Sequence, residues 1–148
     1  MWIREIGLKS IVALMLIVSC VMARDVQAQQ IQFTGDARGS NEVPPLQSSG
    51  SGKALATLDR GSKTLSWVIT YSGLSSRPTA IHFHGPADAT RNAGIVLPVT
   101  GNLDSPVQGS AVLTDGQAAD LMAGRWYLNI HTAANPAGEL RAQMRSDR

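Results

Sequence analysis

Two alternating runs joined by a tight turn constrain this chain more than any other feature. Residues 64–72 place Leu65, Trp67, Ile69 and Tyr71 on one face, and residues 53–58 precede them across Asp59-Arg60-Gly61-Ser62-Lys63. Side chains with a period of two belong to strands, because successive Cβ atoms on extended backbone point to opposite faces. Two such runs around a short Gly-containing turn read as a hairpin. Strand-like runs recur at 31–35, 79–85, 95–100, 107–114, 125–132 and 138–144. Only residues 115–123 read as a helix. Thr114 or Asp115 can cap its start, Leu121 and Met122 can dock it, and Gly124 can end it in the left-handed conformation. The expected fold is all-β: an antiparallel β-sandwich or flattened Greek-key barrel of seven or eight strands with one short helix.

The connections are equally legible. Pro44-Pro45 cannot join a regular ladder, so residues 40–47 form a crossover or a preorganised partner-binding loop. Residues 48–52, all Ser or Gly, read as flexible, and residues 86–94 as a loop.

The first 28 residues stand apart. Arg4 and Lys9 precede an apolar run over 11–22, and Val26 and Ala28 supply small residues at the −3 and −1 positions of a cleavage site. This is a secretory signal pattern, and the apolar run is too short for a comfortable membrane span. The expected division is a signal peptide at 1–28 and one domain at 29–148. An alternative is that Ile17-Val18-Ser19-Cys20, which resembles a permissive bacterial lipoprotein box, leaves a lipid anchor on Cys20. A third reading leaves the segment uncleaved as an anchor. In each case the domain is expected to be exported, to the periplasm or beyond.

From Gln29 onward ten Lys and Arg face nine Asp and Glu, with no basic cluster. Nucleic acid is therefore not an expected partner. Cys20 is the only cysteine of the chain, so the domain has no disulfide although its compartment would permit one. Its stability must come from packing, with or without a metal.

The chemistry concentrates in three histidines. His82 and His84 are spaced i, i+2 in Ala80-Ile81-His82-Phe83-His84-Gly85-Pro86-Ala87-Asp88, and His131 lies in Trp126-Tyr127-Leu128-Asn129-Ile130-His131-Thr132. On strands His82 and His84 share the face opposite Ile81 and Phe83. Tyr127, Asn129 and His131 share the face opposite Trp126, Leu128 and Ile130. If the two strands are close, three imidazoles gather outside the core. That is the donor set of a copper or zinc site with an open position. The competing reading is a polar cluster bonded to backbone and loops, and acid–base chemistry is a third. Glu139 and Arg141 also share a strand face, which allows a surface ion pair or a role for Glu139 in orienting an imidazole. Asp88 can orient His84 or simply close its turn, and Asn129 flanks His131 on its own face.

Four phrases together resemble the CHRD domain, the module named from chordin. They are Gly39-Ser40-Asn41-Glu42-Val43-Pro44-Pro45, His82-Phe83-His84-Gly85-Pro86-Ala87, Gly124-Arg125-Trp126-Tyr127-Leu128-Asn129-Ile130-His131-Thr132, and Asn135-Pro136-Ala137-Gly138-Glu139-Leu140-Arg141-Ala142-Gln143. They stand in the family's order and span Phe33 to Met144. The chain departs from the family pattern at Ala137 and Ala142, where glycines are usual. The resemblance implies an extracytoplasmic β domain, with bacterial members that are short exported proteins, and it implies no catalytic mechanism. A more local likeness links Ile81–Asp88 to the copper-ligand strand of copper/zinc superoxide dismutases. Neither the zinc-ligand loop nor the disulfide of that family is visible, so any activity of that kind would be copper-only.

Hydrolase elbows, phosphate loops, dinucleotide fingerprints, His-Glu-x-x-His and Cys-x-x-Cys are all missing from the chain. The expectation is an exported protein that binds copper, with zinc second, at His82, His84 and His131, and acts in metal or protein-partner binding in the envelope. A copper-only dismutase and a metal-free structural or adhesive module are the alternatives.

Overall fold

The computed structural model describes residues 29–146, so residues 1–28, the expected signal segment, lie outside the described residues. Among the described residues nine strands, one 3-10 turn and one α-helix follow in the order β1 (Gln30–Arg38), the 3-10 turn Gly39–Asn41, β2 (Ser51–Asp59), β3 (Thr64–Ser72), β4 (Pro78–His84), β5 (Ile95–Pro98), β6 (Val107–Val112), α1 (Asp115–Met122), β7 (Tyr127–Thr132), β8 (Leu140–Gln143) and β9 (Arg145–Ser146). The expected strands and helix are all present. The helix opens on a capping box: Thr114 Oγ1 accepts from Gln117 N, and Gln117 Oε1 accepts from Thr114 N. It ends at Gly124, whose φ is +69°.

The strands form one sheet in the order β5-β4-β7-β8-β1-β2-β3-β6, with β9 paired to β1. The ladders β2–β3, β3–β6, β4–β5, β4–β7, β7–β8, β1–β8 and β1–β9 are antiparallel. The sheet curls, because strands distant in that order meet through their side chains. Trp67 of β3 touches Phe83 of β4 edge-to-face, with ring centroids 5.6 Å apart. Phe83 in turn packs on Trp126, 6.0 Å away. The two halves thus close over one core, which holds Phe33, Leu58, Leu65, Trp67, Ile69, Ile81, Phe83, Trp126, Leu128, Ile130 and Leu140. These residues follow the alternation read from the sequence, and burial of their apolar surface is the main term favouring the fold.

β9 is additional to the expected seven or eight strands, several other ends shift by one or two residues, and two boundaries differ for a reason of packing. β1 runs through Gly35 instead of stopping there. A side chain at Gly35 would sit 3.0 Å from Gln143 O and 3.1 Å from Ala142 Cβ. The glycine permits a close approach of β1 to the last strands, and it does not mark a turn. Ser51 and Gly52 belong to β2 instead of a flexible linker, paired with Ser72 and Tyr71. No helix among the described residues is long and apolar enough to cross a membrane.

Candidate metal centre

The ladder between β4 and β7 decides how the histidines meet. Ala80 pairs with His131, His82 with Asn129, and His84 with Tyr127. His131 is therefore a diagonal neighbour of His82 on the face away from the core, within reach for long side chains. Ring centroids are 5.0 Å apart for His82 and His131, 5.6 Å for His82 and His84, and 5.9 Å for His84 and His131. Each histidine offers one ring nitrogen, and the three nitrogens lie within 4.8 Å of one another. Among the described residues no other group of His, Cys, Asp or Glu meets this criterion.

Backbone carbonyls fix two of the rings. His84 Nδ1 is 3.0 Å from Ala93 O, and His131 Nδ1 is 3.0 Å from Pro136 O. A carbonyl only accepts, so each Nδ1 carries a hydrogen, and in the neutral ring Nε2 keeps a free lone pair. His131 Nε2 points at His82 Nδ1, 3.3 Å away. His84 Nε2 is buried with no hydrogen-bond partner. Burial lowers the pKa of His82, and the neighbouring His131 adds to the shift. Burial also lowers that of His84. The Ala93 bond opposes this, and His131, His82 and Arg141 reinforce it. At His82 and His84 neutral imidazole, the ligating form, is thus favoured.

The outer face of β4, β7 and β8 is less open to water than alternation alone would suggest, although His82 and His131 stay only half-buried. Residues 39–48 and 86–94 cover much of it, and His84 is only 8% exposed. His84 stacks on Tyr127 at 5.0 Å with the rings 8° from parallel, and Arg141 Cζ lies 3.6 Å from the Tyr127 ring centroid. Tyr127 O–H also donates to Ala93 O and accepts from Ala93 N. It therefore holds both the ring of His84 and the carbonyl that orients it. Arg141 is 1% exposed, and its guanidinium donates to Asp88 O, Arg91 O and Asn92 Oδ1.

The residues proposed to orient the histidines have other partners. Glu139 is 1% exposed and forms no ion pair with Arg141. Its carboxylate accepts from Ser48 Oγ, Ser75 N, Ser75 Oγ, Thr132 Oγ1 and Asn135 Nδ2. Burial raises its pKa, but those donors outweigh burial and hold it at about 2. The Asp88 carboxylate closes its own turn on Thr90 and Arg91. Asn129 donates to Glu42 at 3.4 Å. The orienting acceptors are instead the carbonyls of Ala93 and Pro136, which no side-chain pattern can announce. Tyr127 was legible, because alternation places it on the histidine face.

The family model for the CHRD domain matches residues 33–144. The chain belongs to the CHRD family. No curated protein and no solved structure matches it. The four phrases that carry the likeness meet around the histidines of this CHRD domain: Glu42 of the first bonds Asn129 of the third, His82 of the second faces His131 of the third, and Pro136 and Arg141 of the fourth contact His131 and Tyr127.

Proposed function

We propose that this CHRD domain is a copper-binding protein of the cell envelope, with His82, His84 and His131 as the protein ligands. The observation that carries the reading is the buried, partnerless Nε2 of His84 in a cluster of three imidazoles that each bring one ring nitrogen within 4.8 Å of the others. A buried acceptor without a donor costs about 1–3 kcal/mol, and a metal ion bound there would offset that. Nitrogen donors suit copper, zinc and nickel better than calcium or magnesium. Cu(II) stands above Zn(II) in the affinity order of divalent ions, and an exported domain meets it outside the reducing cytosol. Three protein ligands leave a coordination position for water or a partner's donor.

Calorimetric titration of Cu(II) and Zn(II) into the metal-free domain is the test. One Cu(II) per chain is expected, bound more tightly than Zn(II). Binding of neither ion would make the histidines a structural cluster and give the lead to partner binding through the same face. The envelope location rests on the leader. Protein recovered from the envelope should have the intact mass of a chain starting at Gln29, or at a lipidated Cys20. Full-length protein in the cytoplasm would reject export.

A further inference from the structure

Glu42 reaches Asn129 of β7 from the loop that follows the short 3-10 turn Gly39–Asn41. The two residues are 7% and 3% exposed. Asn129 Nδ2 donates to Glu42 Oε2 at 3.4 Å. The remaining oxygens, Glu42 Oε1 and Asn129 Oδ1, are both buried without a partner. They crowd one point, since a Cβ on Gly138 would lie 2.7 Å from Glu42 Oε1 and 2.5 Å from Asn129 Oδ1. Gly138 itself has φ +135°, so both its conformation and its lack of a side chain make room for the pair.

An ionised carboxylate only accepts, whereas an amide accepts on one side and donates on the other. Placed edge to edge they make one hydrogen bond and one contact between acceptors. Turning the amide over moves that contact to the other carboxylate oxygen and does not remove it. One proton on the carboxyl group does remove it. We propose that Glu42 is kept as a neutral carboxylic acid whose Oε1–H donates to Asn129 Oδ1 while its Oε2 accepts from Asn129 Nδ2. The two-bond ring latches the loop onto the strand that carries His131, and loss of the proton opens it.

The surroundings agree. Burial raises the Glu42 pKa to about 7, against the opposing effects of the Asn129 bond and the charge of Arg141. Arg141 on β8 is the charge that favours ionisation, and its own donors are engaged by carbonyls and Asn92. Glu139 follows Gly138, but its carboxylate is turned to Ser75 and Thr132. His82 pairs with Asn129 across the ladder, and His131 lies two residues further on. Asp36 and Arg145 line the groove beside the loop. Val43 O accepts from Asn92 Nδ2, which clips the same loop to residues 86–94. The unfolded chain releases the Glu42 proton near 4.5 and the folded chain near 7. Between those values the folded state binds more protons, so the latch's contribution to stability falls as pH rises.

The Glu42–Asn129 latch forms without any metal, so it can be tested in chelator. From Gln29 onward the chain holds two glutamates, Glu42 and Glu139. Carboxyl-13C labelling of glutamate in the mature protein therefore gives two resonances to follow by NMR. One should titrate near neutral pH and vanish in Glu42→Gln, while the other stays ionised far into acid. Glutamine mimics the protonated acid, so Glu42→Gln should keep the ring at every pH. The ratio of the wild-type to the variant unfolding constant, from urea titrations, should rise roughly fifty- to a hundredfold between about pH 5 and pH 8. The histidines are common to both proteins and cancel in that ratio. Two resonances titrating in the ordinary carboxylate range, or a ratio that stays flat, would overturn the proposal. If Glu42→Gln fails to fold, the wild-type NMR titration decides by itself.

Discussion

His84→Ala is expected to lower Cu(II) affinity at least a hundredfold while the domain stays folded. Changes to residues that only orient a metal ligand cost about 10–100-fold, and loss of a ligand should exceed that. The fold should survive because His84 lies on the face opposite Ile81 and Phe83, and its removal opens no cavity in the apolar core. Its lost hydrogen bond leaves Ala93 O still accepting from Tyr127. The buried unpaired Nε2 disappears with the ring, so the net cost should be about 1 kcal/mol. Calorimetry of Cu(II) binding, beside urea unfolding of both proteins in chelator, separates the two effects. Equal affinities would remove His84 from the ligand set. A variant that no longer folds would show that the ring is chiefly structural.

The largest effect on stability is expected from Glu139→Ala, at about 3–5 kcal/mol. The substitution leaves Ser48, Ser75, Thr132 and Asn135 without their shared acceptor, and the backbone N–H of Ser75 cannot turn elsewhere. Folded domains are stable by only about 5–15 kcal/mol, so the transition should move visibly in urea. The same carboxylate gives a signed pH effect. Its pKa is about 2 in the fold against 4.5 in the unfolded chain. Its contribution is complete above 4.5 and is lost as pH falls toward 2, a loss that Glu139→Ala should abolish. Because the cage holds Thr132 and Asn135, and Pro136 follows them with its carbonyl on His131, copper affinity should weaken as well. A loss below about 1 kcal/mol would mean that these donors find water instead.

Much of this was legible along the chain. Alternation of Leu65, Trp67, Ile69 and Tyr71, and of Ile81 and Phe83, announced strands and assigned their inner faces, because period two is a property of extended backbone itself. The turn at 59–63, the capped helix and the four CHRD phrases are local signals too. The same parity placed His82, His84, Tyr127, Asn129 and His131 on outer faces. What it missed lay in boundaries set by contact. Gly35 looked like an end and proved to be a close approach, because the reason for that glycine is a strand more than a hundred residues away.

Local pattern was enough to say which side chains each strand sends inward, that residues 29–148 hold no disulfide, and that three imidazoles face away from the apolar side chains. Only the tertiary structure decided that they meet, since the β4–β7 register sets the diagonal that joins His82 to His131. It also decided that much of the outer face is covered, which turns Glu139 and Arg141 from an expected surface pair into separate buried charges, each held by its own cage. The physical reason is one of range. Periodicity is fixed by neighbouring residues, whereas desolvation and hydrogen-bond partnership depend on whichever loop the fold lays over a strand, and no local pattern encodes that.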